Sequence, residues 1–165
     1  MWEGIVVALQ ITPEMGKPLT TKKRVKAVAG RGIEGDRYFT QSGTFSKKKP
    51  FDKQITLMEL ESLEALARDY GIALSPREAR RNVTTRGVAL NHLVGEEFMV
   101  GGARLRGIEL CEPCKYLEGL TQEGVREGLV HRGGLRAQIL GTGEIAVGDS
   151  VRPAAKKRSR SSRKK

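Results

Sequence analysis

After Asn82 the chain divides into short runs rich in Val, Ile and Leu, broken repeatedly by glycine, and this punctuation limits its possible folds more than any other feature. Phe98 to Val100, Ala103 to Cys111, Leu135 to Leu140, Glu144 to Val147 and Ser150 to Arg152 read as strands. Thr121 to Val130 reads as a helix weakened by Gly124 and Gly128. Upstream, Glu3 to Ile11 and Arg24 to Ala29 are further strand candidates, with Pro13 to Thr21 as the loop between them. Gly30, Gly32 and Gly35 then crowd a segment ending at Arg37, which implies tight turns or close backbone approach. One amphipathic helix is expected from Thr56, where Thr56 and Glu59 have capping-box spacing, through Leu57, Leu60, Leu63 and Leu66 to a stop at Gly71. Ser75, Pro76 and Glu78 start a short helix over Arg77 to Arg81 that ends at Asn82. Roughly six to eight strands, few helices and 20 glycines, with no regular strand-helix-strand alternation, favour a β-rich, barrel-like or α+β fold over a doubly wound sheet.

A chain of 165 residues fits one domain and buries a core without disulfides. The longest apolar run is Ile5 to Leu9, too short to span a membrane, and Met1 to Gly4 does not open a secretory signal, so the expected compartment is the cytoplasm. The net charge of +11 suggests a nucleic-acid partner until it is divided along the chain: seven of the positives lie in Lys156 to Lys165, leaving +4 for residues 1–155. That Ser/Lys/Arg tail, from residue 153, is expected to be disordered and to make weak polyanion or nucleic-acid contacts. Lys47 to Lys49 reads as an exposed loop.

Cys111 and Cys114 are three residues apart, a spacing compatible with a dithiol redox pair, half of a zinc site, or one reactive thiol beside a bystander. A structural zinc site usually takes four ligands, and only His92 and His131 are available beside the cysteines, without the spacing of a zinc element. A thioredoxin-like pair needs its first cysteine at a helix start in a βαβ setting, which is missing. Cys114 is the better candidate for a single working sulfur, because Pro113 fixes the backbone before it and Lys115 follows. Two inert cysteines in a β-core are the bland alternative. Arg80, Arg81 and Asn82 could bind a phosphate or a pterin-like heterocycle, or the two arginines could simply complement a helix C-terminus. His131 to Arg136 reads as an anion-facing turn or a solvated loop.

Five blocks in order, Gly32 to Arg37, Ala79 to Phe98, Glu112 to Leu117, His131 to Ala137 and Gly143 to Asp149, closely resemble the MOSC domain, the molybdenum cofactor sulfurase C-terminal domain. The resemblance covers residues 1–152 and implies a strongly twisted, barrel-like, mostly antiparallel sheet with a few peripheral helices. It also implies one cysteine that carries a persulfide or ligates the molybdenum of a pterin cofactor, and that position is Cys114. The family's Arg-x-Asn element falls on Arg80 and Asn82, which would hold the pterin or its phosphate, and Arg37 and Arg132 would line the same pocket. Larger members carry a pyridoxal-phosphate cysteine desulfurase or a further β-barrel domain. This chain matches neither addition, so a desulfurase or an electron-transfer protein is expected as a separate partner.

Three functions follow. The first is a molybdenum-dependent oxidoreductase acting on N-hydroxylated compounds through cofactor held by Cys114. The second is a persulfide carrier for metal-sulfur cofactor assembly. The third is a nucleic-acid-binding protein acting through its tail, opposed by the 5% aromatic content and the lack of a nucleic-acid-reading motif.

Overall fold

The run from Glu3 to Ile11 forms strand β1, Gly4–Ile11, the seam on which the sheet closes. One edge of β1 pairs with β6, Val83–Arg86, while the other is shared between β11, Ser150–Pro153, at Gly4 and Ile5 and β2, Thr20–Lys22, beyond Leu9. From β6 the sheet continues through β5, Ile55–Glu59, β9, Leu135–Gly141, β8, Ala103–Leu110, and β7, Glu97–Val100, to β11 and so back to β1. The result is a closed seven-strand barrel, antiparallel at every pairing except β5 with β6. A smaller sheet of β3, Arg24–Val28, β4, Gly32–Ile33, and β10, Gly143–Ala146, contributes Val25, Ala27, Ile33 and Ile145 to the same core. This computed structural model describes residues 1–39 and 51–155, so the expectations for Lys47 to Lys49 and for Lys156 to Lys165 lie outside the described residues.

Strand periodicity sets the interior: Leu105 and Gly107 on β8, and Leu135, Ala137 and Ile139 on β9, alternate inward with more exposed neighbours. Phe98 is fully buried among them, and truncating it to alanine would cost about 3–5 kcal/mol. A second cluster lies outside the barrel wall, where Met58 of β5 meets helix α1, Leu60–Tyr70, through Leu63 and Leu66. The end of α2, Pro76–Ala79, closes this layer with α3, Lys115–Leu120, and α4, Val125–Gly128, through Ala79, Leu117 and Val125. No helix among the described residues is long and apolar enough to cross a membrane.

The β-rich, mostly antiparallel barrel agrees with expectation, but several local readings need correction. Thr56 does not cap a helix; it lies within β5, which pairs with β6 on one side and β9 on the other. Ile55 to Met58 are all buried because the barrel core covers one face and the helical layer the other, and this erases the alternation that would have marked a strand. Helix α1 therefore begins at Leu60. Val83 to Arg86 forms β6 and Lys115 to Leu120 is helical, neither having been expected. Only Val125 to Gly128 of the expected Thr121–Val130 helix is α-helical. The Ser75–Glu78 capping box is present, and the helix it starts ends at Ala79 with Arg80 as its cap.

Candidate functional site

Four segments converge at one end of the helical layer around a cleft of about 100 Å³. The turn after β4 contributes Arg37, the cap of α2 contributes Arg80 and Arg81, the connection from β8 to α3 contributes Cys111, Glu112 and Cys114, and β9 contributes Arg136. Tyr38, Tyr116, Leu117 and Met15 complete the wall. The lining thus carries four guanidinium groups and one carboxylate.

Each cation is placed by a different device. Buried Asp36 accepts from the backbone N–H of Thr12 at 3.1 Å and of Tyr38 at 3.4 Å, and from Arg37 Nη1 at 3.4 Å, so it fixes the turn that presents Arg37. Arg37 Nη2 also donates to the Arg80 carbonyl at 3.4 Å, joining the two segments. Arg80 has φ +63°, a left-handed backbone uncommon for a residue with a Cβ, and its Nη1 donates to the Lys17 carbonyl at 2.8 Å. Burial, and then the Arg37 cation beside it, draw the Arg80 guanidinium below its ordinary range. An anion between the two would offset that repulsion. Arg136 lies on β9 between inward-facing Leu135 and Ala137, with its Nε 3.6 Å from a Glu109 carboxylate oxygen.

The two cysteines separate completely. Cys111 is 3% exposed, whereas Cys114 is exposed at the start of α3. The loop joining them is pressed against the turn before β9: Cys111 N–H donates to the Gly134 carbonyl at 2.8 Å. A Cβ on Gly133 would sit 2.4 Å from the Cys111 carbonyl oxygen, and one on Gly134, at φ +114°, 2.1 Å from that of Leu57. Both contacts exclude any side chain, which explains the glycine pair. Glu112 is turned to His131, accepting from its backbone N–H at 3.0 Å and lying 3.1 Å from its ring Nδ1.

Cys114, Arg80 and Arg37 are therefore brought together, while Asn82 and Arg132 are not among the cleft-lining residues. Asn82 is fully buried: its Oδ1 accepts from the N–H and hydroxyl of Thr56 at 3.0 and 3.1 Å, and its Nδ2 donates to the Gln10 carbonyl at 3.2 Å. It ties β1, β5 and the start of β6 together. Arg132 lies across the Gly133–Gly134 turn from the cleft, with Nε donating to the Gly128 carbonyl at 2.9 Å and Nη2 3.5 Å from Asp69. From the same sequence block it is Arg136 that reaches the cleft, and strand parity relative to Leu135 and Ala137 was the available signal. Arg81 also lines the cleft but is 8% exposed and donates to the carbonyls of Gly133, Ala79 and Cys111. Among the described residues no three His, Cys, Asp or Glu side chains group as a metal site. A metal held at Cys114 would take its other ligands from a cofactor or solvent.

A barrel carrying one exposed cysteine in an arginine-lined cleft defines the class, and the family model for the MOSC domain matches residues 21–152. The chain belongs to the MOSC domain family, which is associated with molybdenum-cofactor binding and sulfurase-like function. Its fold is similar to that of the YuaD protein from Bacillus subtilis, with a TM-score of 0.77 at 18% identity, covering 92% of this chain and 97% of that one. YiiM from Geobacillus stearothermophilus is similar at TM-score 0.66 and 18% identity, covering 92% of this chain and 75% of its own. YiiM from Escherichia coli is similar at 0.63 and 16%, covering 93% and 71%. No curated protein sequence matches this chain.

Proposed function

We propose that this protein binds molybdenum cofactor, with the Cys114 thiolate as a protein ligand to the metal, and supports reduction of N-hydroxylated compounds. The observation that carries this reading is the placement of an exposed soft sulfur donor beside Arg37, Arg80 and Arg136 in one cleft. The donor set fits the group: one thiolate for the metal, and guanidinium forks for the anionic and heteroatom-rich remainder. When bound, the cofactor supplies a two-electron centre able to take oxygen from an N–O bond. The protein supplies position and charge. Arg80 and Arg37 compensate negative charge on the bound group, Tyr116 and Met15 flank the opening, and Arg81 and Asn82 keep the surrounding segments in register. Electrons would come from a separate electron-transfer protein.

The exposure of Cys114 also supports a second reading as a persulfide carrier. In it the Cys114 thiolate attacks the outer sulfur of a persulfide on a pyridoxal-phosphate cysteine desulfurase, releasing the desulfurase thiolate and leaving the sulfane sulfur on Cys114. Metal analysis and intact mass of anaerobically purified protein, beside Cys114→Ser, separate the two. Stoichiometric molybdenum that is lost in the variant supports the first reading. Metal-free protein carrying one cyanide-labile sulfur on Cys114 supports the second, and neither load on wild-type protein rejects both. The polybasic tail is proposed to add weak polyanion contact, checked by salt-dependent RNA retention before and after deletion of residues 154–165.

A further inference from the structure

Glu112 is the one carboxylate in the cleft lining, beside Arg37, Arg80, Arg81 and Arg136. Charge-assisted bonds to a guanidinium are about twice as strong as neutral ones, so a carboxylate there is expected to turn toward the arginines. Glu112 turns the other way. Its Oε2 accepts from the His131 N–H at 3.0 Å, its Oε1 lies 3.1 Å from the His131 ring Nδ1, and among the described residues no arginine pairs with it. The His131 backbone, at φ +60°, is left-handed, which is uncommon for a residue with a Cβ and persists only where the surroundings impose it. Asn91, in the 3₁₀ turn Leu90–Leu93, helps to impose it by donating Nδ2 to the His131 carbonyl at 2.7 Å. The His131 side chain is 80% exposed, so packing does not account for the residue. What the strained turn achieves is to aim both the N–H and the ring of one residue at one carboxylate.

We propose that His131 is a positioning residue that latches the Glu112 carboxylate away from the arginines and so keeps the approach to Cys114 electropositive. The ligand that uses this charge rests on the cofactor reading above; the latch does not. Once released, Glu112 would turn onto the guanidinium groups beside Cys114 and place a negative charge where an anionic group has to enter.

The test compares alkylation of Cys114 by iodoacetate, which is anionic, and by iodoacetamide, which is neutral, on full-length protein stripped of cofactor. The ratio of the two rate constants cancels the thiolate fraction and reports the local charge. His131→Gly keeps the left-handed backbone and the N–H but removes the ring. It should lower the ratio about threefold, the effect of one unit charge brought within about 6 Å of the sulfur in a water-like medium. Glu112→Gln should not lower the ratio, and His131→Gly combined with Glu112→Gln should match Glu112→Gln alone, because without the carboxylate there is nothing to release. Cys111, buried in the native loop, should stay unmodified in every variant and so reports that the loop is intact. An unchanged ratio in His131→Gly would overturn the latch, and so would an equal fall with and without the Glu112 carboxylate. A wild-type ratio no higher than that of N-acetylcysteinamide would reject the anion-accepting cleft of the cofactor reading. The fall in His131→Gly, and its absence in the double variant, would still decide the latch.

Discussion

Arg80 and Arg81 are adjacent in sequence yet belong to two regions with opposite physics. Arg81 and Asn82 point into an inner network where a guanidinium meets three backbone carbonyls and an amide joins three strands. Arg80 and Cys114 belong to an outer region in which a half-buried cation and an exposed thiol face a cleft. The difference shows how one short motif serves both purposes: the inner half satisfies buried polar groups and fixes position, and the outer half leaves chemistry available to a ligand. The inner region should govern stability, and the outer region should govern binding.

Within these two regions the largest stability effect is expected at Asn82. Asn82→Ala leaves the Thr56 N–H and the Gln10 carbonyl without this partner inside the barrel wall and should cost about 3 kcal/mol, read as a melting midpoint lower by about 10 °C. A loss below about 1 kcal/mol would mean that the network does not hold the three strands. Arg81→Lys keeps the charge but cannot reach three carbonyls with one ammonium, and denaturant unfolding should show a loss of about 2 kcal/mol. An unchanged midpoint would move Arg81 into the outer region. Arg80→Gly should act in the reverse sense: release of the left-handed backbone should raise stability by about 0.5 kcal/mol while molybdenum binding falls. Loss of stability together with binding would blur the distinction between the regions. The smallest effect on stability belongs to Cys114→Ser, within about 0.5 kcal/mol, with complete loss of the sulfur-dependent load.

The same division explains what was legible in the sequence. Short glycine-bounded strands made the barrel legible, because a half-covered strand shows its period of two. The β5 segment was not, since Ile55 to Met58 are covered on both faces and their leucine spacing merges with that of α1. Motif blocks drew attention to Arg37, Arg80 and Cys114, which do share a cleft. Whether a motif side chain points inward or outward depends on strand pairing and turn geometry formed with distant residues. That is why Asn82 lies in the inner network and why Arg136, instead of Arg132, reaches the cleft.

The measurement closest to the central claim is alkylation of the two cysteines by iodoacetamide, followed by peptide mass spectrometry on cofactor-loaded and stripped protein. Exposed Cys114 should be modified readily when stripped and, on the proposed ligation, be protected when loaded, while buried Cys111 reacts in neither until denaturant opens the loop. Equal alkylation of Cys114 in both preparations would contradict the assignment of its sulfur as the ligand.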